Sequence, residues 1–145
     1  MENEKEIVEN FKAIIKRIYE IATKNDNYQY GSMLLYEPKI DFLIFKSFKF
    51  RDQHKLPAYF LHGIATTHPF IDGNKRTALL LGILLMKDQL ELEGASRENV
   101  FERILKLLAD YVKQADDKVV KFMIETADEK HSVEDVDRFL REILD

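Results

Sequence analysis

Nine consecutive residues without a charged or hydrogen-bonding side chain, Ala78 to Met86, constrain this chain more than any other feature. A bilayer span needs about 20 such residues, so the run belongs in a protein core rather than a membrane. Near-continuous apolarity marks a helix covered on all sides, beginning at about Asn74 and carried by Leu79, Leu80, Ile83, Leu84 and Leu85. The rest of the chain must then supply a shell, and its apolar spacing says how. Ile7, Phe11, Ile14, Ile15, Ile18, Tyr19 and Ala22 share one helical face, with a stop expected at Asn25-Asp26-Asn27. From about His54 to Thr67, Leu56, Tyr59, Phe60, Gly63 and Ile64 line one side of a second helix, which must break before Pro69. Further amphipathic helices are expected after Ser96, around Val119 to Ile124, and after Ser132, the two serines acting as caps. The expected fold is all-α, with about six helices in one domain spanning 1–145.

Segment 39–50 stays open between two readings. Phe42, Phe45 and Phe48 repeat every three residues as on a helix, whereas Phe48 and Phe50 alternate with charge as on a strand. Residues 28–38 read as irregular, punctuated by Gly31 and Pro38.

The chain has no cysteine, which excludes disulfides, zinc–thiolate sites and thiol nucleophiles. Its net charge of −4 supplies no global basic field, so nucleic acid is not an expected partner. Residues 1–97 carry 14 basic and 13 acidic side chains, against 8 and 13 in 98–145. The most basic stretch, 38–55, holds Lys39, Lys46, Lys49, Arg51 and Lys55. The acidic start, Met1 to Glu6, lacks the features of a secretory signal, so a cytoplasmic location and no membrane partner are expected.

The chemistry concentrates in His68-Pro69-Phe70-Ile71-Asp72-Gly73-Asn74-Lys75-Arg76-Thr77, where one helix ends and the buried one begins. The first amides of a helix lack intrahelical partners and its dipole end is positive, which favours an anion. Gly73 permits a tight backbone, so the amides of Asn74, Lys75 and Arg76 can approach a phosphate. Arg76 adds a planar fork for two oxygens, and Lys75 a compact point charge. Asp72 is a hard oxygen ligand suited to Mg2+, and the imidazole of His68 suits proton abstraction from a hydroxyl. A base, a metal ligand and a phosphate cradle therefore lie within nine residues. Each has a plainer alternative: a polar loop histidine, helix-capping Asp72 and Asn74, surface-charged Lys75 and Arg76. Their concurrence favours the chemical reading.

This run resembles the signature of the Fic/Doc family (the Fido fold), His-Pro-Phe-x-[Asp/Glu]-Gly-Asn-[Gly/Lys]-Arg, over its whole length. The resemblance implies a Fic/Doc-like helical bundle with the motif loop between two central helices, and a nucleotide-dependent transferase. It implies His68 as base, Phe70 as core anchor of the loop, Asp72 as magnesium ligand, and Gly73, Asn74, Lys75 and Arg76 as nucleotide-binding elements. AMP-transferring Fic enzymes have glycine where this chain has Lys75, and a second arginine where it has Leu79. Both differences resemble Doc, the death-on-curing toxin branch, which moves the γ-phosphate of ATP onto elongation factor Tu. A lysine fills one phosphate pocket and the missing arginine removes a clamp, so ATP is expected inverted, its terminal phosphate toward a serine or threonine hydroxyl. Gly73 is Fic-like, since Doc commonly has alanine there. AMP transfer is therefore the alternative, and a catalytically silent nucleotide- or partner-binding module is another.

Many Fic enzymes inhibit themselves through a [Ser/Thr]-x-x-x-Glu-[Gly/Asn] helix. No serine or threonine here has glutamate four residues on. Resemblance to Doc implies that a separate antitoxin chain supplies inhibition. The family also places a flap ahead of the motif that docks the target as an added strand, for which Tyr28, Tyr30, Phe48 and Phe50 with Lys46, Lys49 and Arg51 are candidates. His54 and His62 are expected to be structural or surface residues, and His131, in a charged stretch, is assigned no role.

Overall fold

The computed structural model describes residues 2–23, 36–90 and 117–144. Among these it contains six α-helices and no strand: α1 (Glu2–Ala22), α2 (Glu37–Ser47), α3 (Leu56–Thr67), α4 (Asn74–Leu90), α5 (Asp117–Ala127) and α6 (Val133–Leu144). The expected helix after Ser96 lies outside the described residues, as do Tyr28 and Tyr30.

The apolar run becomes the centre. Ala78, Leu80, Leu81, Ile83 and Met86 of α4 are essentially inaccessible, each large side chain contributing roughly 1.5–3 kcal/mol on burial. The partner of α4 is α3, which buries Ala58, Phe60, Leu61, Ile64 and Ala65. The two backbones come close at Gly82, where an added Cβ would sit 2.8 Å from Leu61 Cδ1. Around this pair, α1 packs on α4, α2 bridges α1 and α3, and α6 covers α3. Pro57 occupies the first turn of α3, where its missing N–H matters least, behind a short 3-10 turn at Gln53–Lys55.

One open reading is decided and one expectation is corrected. Residues 37–47 form a helix rather than a strand, because Ile40, Leu43, Ile44 and Ser47 fall on one face and are buried. Phe42 and Phe45 lie on the opposite side, 63% and 53% exposed. The buried face of α1 is also rotated: Val8, Ile15, Ile18 and Tyr19 are buried, whereas Ile7 and Ile14 are about half exposed. Lys12 sits in the middle of that buried face. Its ammonium lies 3.1 Å from Asp41 and 3.2 Å from Glu9, tying α1 to α2. Burial alone would lower the Lys12 pKa, but hydrogen bonds to Asp41 and Glu9 outweigh it and hold the group above its ordinary value. Nearby, Lys16 bonds Glu37 at 3.0 Å and holds that carboxyl below the usual range.

Candidate active site

The motif forms the junction between the two central helices. α3 ends because His68 takes a left-handed conformation (φ 50°), its N–H still reaching Ile64 O at 3.3 Å, and Pro69 cannot continue the helix. The His68 side chain is left exposed at the turn. Phe70 then plunges inward, 2% exposed, its ring stacked on Tyr19 of α1 with centroids 4.1 Å apart. Ile71 and Asp72 return to the surface.

Gly73 starts α4. Its carbonyl accepts the first ladder bond, from Thr77 N–H at 3.0 Å, so the amides of Asn74, Lys75 and Arg76 precede the ladder. With φ at +77°, and Thr23 Cγ2 only 2.7 Å from where a Cβ would stand, the position is built for glycine. The Gly73 N–H donates to Asp72 Oδ1 at 2.7 Å, which orients that carboxylate.

Asn74 has a role that its motif position alone does not reveal. Its Oδ1 accepts from Phe70 N–H at 2.9 Å and its Nδ2 donates to Phe70 O at 2.8 Å. The buried amide thus clasps the loop with both polar atoms. Lys75 is exposed, while half-buried Arg76 donates from Nη1 to Ala22 O at 3.3 Å. That carbonyl ends α1, where the helix dipole favours a cation. Arg76 Nη2 also lies 3.7 Å from the Cβ position of Gly73, so the guanidinium is held beside the tight turn. His68 and residues 72–76 are therefore gathered at one helix–loop–helix junction.

Other ties to this loop come from distant sequence. Tyr36 N–H donates to Pro69 O at 2.8 Å, and Lys39 Nζ donates to Thr67 O at 2.7 Å, fastening the start of α2 on both sides of His68. No local pattern announces these contacts; only the position of the Glu37-Pro38 helix start beside the motif could have suggested them. The remaining histidines are structural or peripheral. His62 Nε2 lies 2.9 Å from His131 O, joining α3 to the α5–α6 turn, and the His131 ring stacks on Phe122. His54 is exposed.

Among the described residues no group of three or more His, Asp or Glu side chains is arranged to hold a metal ion. Asp72 still fits a magnesium ion, which commonly takes one or two carboxylates with substrate phosphates and water. Among the described residues no helix is long and apolar enough to cross a membrane.

The model of the Fic/DOC family matches residues 3–86, which spans α1 to α4 and the whole motif. The chain belongs to the Fic/DOC family. Members of this family are in general nucleotide-dependent transferases with ATP as co-substrate. No individual curated protein and no solved structure matches the chain significantly.

Proposed function

We propose that this chain is a Doc-like phosphotransferase, moving the γ-phosphate of ATP to a serine or threonine hydroxyl of a protein such as elongation factor Tu. The observation that carries the donor choice is Leu79. It is buried among the core residues of α4, where AMP-transferring members place a second arginine, so nothing charged stands there to clamp a further phosphate. The exposed Lys75 adds a positive charge one residue into the first turn.

In this reading His68 takes the hydroxyl proton as the oxygen bonds to the γ-phosphorus. The bond from that phosphorus to the β–γ bridging oxygen breaks, and ADP leaves. The amides of 74–76, with Lys75 and Arg76, hold the triphosphate. Asp72 would hold Mg2+, which when bound neutralises phosphate charge. Asn74 keeps the base and the cradle in register by clasping Phe70. We place the reaction in the cytoplasm, within one domain over 1–145, and assign inhibition to a separate antitoxin chain.

One observation favours AMP transfer instead. A Cβ at Gly73 is strained by its positive φ and presses on the Thr23 methyl, which separates this chain from the alanine common in Doc. The test uses ATP labelled at the α or the γ phosphate, with Mg2+, elongation factor Tu and cell lysate, and His68→Ala as the blank. Label from the γ position alone supports the kinase. Label from the α position means AMP transfer, and label from neither leaves a missing target or a silent binding module, with ATP binding by calorimetry to decide whether the site is alive.

A further inference from the structure

A groove of about 520 Å³ runs between α2 and α3, from Thr67 to the turn after α2. Its charge is unlike that of the chain as a whole. Lys39, Lys46, Lys49 and His62 line it, and no described carboxylate does, although the chain carries a net −4. Many cations elsewhere have carboxylate partners, as Lys12, Lys16, Lys55 and Arg141 do. Among the described residues Lys39, Lys46 and Lys49 have none, and Lys46 and Lys39 lie instead over the rings of Phe42 and Tyr36. Phe42 itself is 63% exposed, an aromatic surface kept in water beside ammonium groups. Such a surface fits a ligand that brings both negative charge and apolar side chains. One end of the groove is Thr67, whose carbonyl Lys39 holds and whose next residue is His68.

We infer that this groove docks an acidic, aromatic- or leucine-bearing peptide segment of the acceptor protein and delivers the neighbouring hydroxyl to His68. As the acceptor side of the transfer proposed above, it rests on that reading. A protein segment suits the groove better than nucleic acid. Three lysines without an arginine fork give few phosphate contacts, and the surrounding protein is net acidic. The volume matches a few side chains rather than a folded domain.

The test separates docking from chemistry by using the full chain as His68→Ala, without nucleotide. Fluorescence anisotropy reads three probes: a short labelled peptide alternating Asp/Glu with Phe/Leu around one threonine, the same peptide with Lys/Arg for the acids, and single-stranded oligothymidylate. The acidic peptide should bind and the basic one should not. Lys46→Glu combined with Lys49→Glu should weaken the acidic peptide about tenfold or more at low salt and admit the basic peptide. Phe42→Ser, a change at an exposed site, should weaken it with an unchanged salt dependence. Lys121→Glu, at an exposed position of α5, is the charge control and should change nothing. Equal binding of acidic and basic peptides, no response to the lysine reversals, or tighter binding of the oligonucleotide at these lysines would each overturn the inference. So would concentration-dependent self-association, abolished by the reversals, with the acidic peptide ignored. If peptide docking behaves as described while the active chain transfers no label, the groove stands and the transfer reading fails. If transfer proceeds, the double reversal should raise KM for the peptide and leave kcat unchanged.

Discussion

Two junctions in this molecule share a backbone plan and differ in how the second helix is capped. At both, the first helix closes on a non-glycine residue in the left-handed region, His68 after α3 and Glu129 after α5. At the α5–α6 junction the new helix caps itself. Ser132 Oγ accepts from Asp135 N–H at 3.2 Å, and Asp135 Oδ2 accepts from Ser132 N–H at 3.0 Å. The positive end of α6 already holds its anion, the Asp135 carboxylate. At the α3–α4 junction the capping position is Gly73, which has no side chain, and Asn74 turns back to clasp Phe70. A helix start completed by its own side chains reads as structure. One begun by a glycine with no capping side chain, and with a lysine and an arginine in its first turn, is shaped for an anion from outside.

The sharpest way to break this contrast is His68→Ala. It should lower transfer by about 10²–10⁴-fold while changing stability by no more than about 0.5 kcal/mol, because the side chain is exposed. Parallel turnover and denaturant titrations check it, and retained turnover would remove the base from the site. Asn74→Ala should act the other way, chiefly on stability. It strands the buried Phe70 N–H and C=O and should cost about 2–4 kcal/mol, read as a lower urea midpoint. Gly73→Ala should cost about 1–2 kcal/mol from its positive φ, and it pushes against Thr23 as well. Calorimetry should show weaker ATP binding by that variant, since the cradle must shift.

The contrast also explains what could be read from residues alone. α4 was legible because nine uncharged residues in succession leave a helix no exposed face, and the motif was legible because its chemistry is contiguous. α2 was ambiguous because its phenylalanines obey two periods at once. Burial of Ile40, Leu43 and Ile44 against α1 and α3 decides for the helix, and that is a tertiary fact. The rotated face of α1 was hidden by Lys12, a charge in a core stripe made tolerable by Glu9 beside it and by Asp41, which lies far along the sequence. Asn74 shows the limit within the motif itself. An amide suits both an anion site and a backbone clasp, and only the distances to Phe70 reveal the clasp. Tyr36, Lys39 and Ala22 reach the junction from outside it, so no local window contains them.

The smallest effect belongs to the self-capped junction. Ser132→Ala should destabilise by about 1 kcal/mol and leave ATP binding and transfer unchanged, which is the behaviour of a purely structural cap. Its pH dependence adds a sharper mark. The backbone hydrogen bond from Ser132 is the main influence holding the Asp135 carboxyl below its ordinary value of 3.8. A carboxyl depressed on folding contributes stability that is present above its unfolded pKa and is lost as pH falls through the folded one. The cap of α6 should therefore weaken only below about pH 4, where Asp135 gains a proton. In Ser132→Ala the carboxyl keeps the backbone bond but loses the reciprocal hydroxyl, so its pKa should move up toward 3.8. Titration of Asp135 by carbon-detected NMR in both proteins reads this directly. An unmoved pKa would mean that the hydroxyl does not help hold the carboxyl down, and a loss of ATP affinity in the variant would mean that the two junctions are coupled.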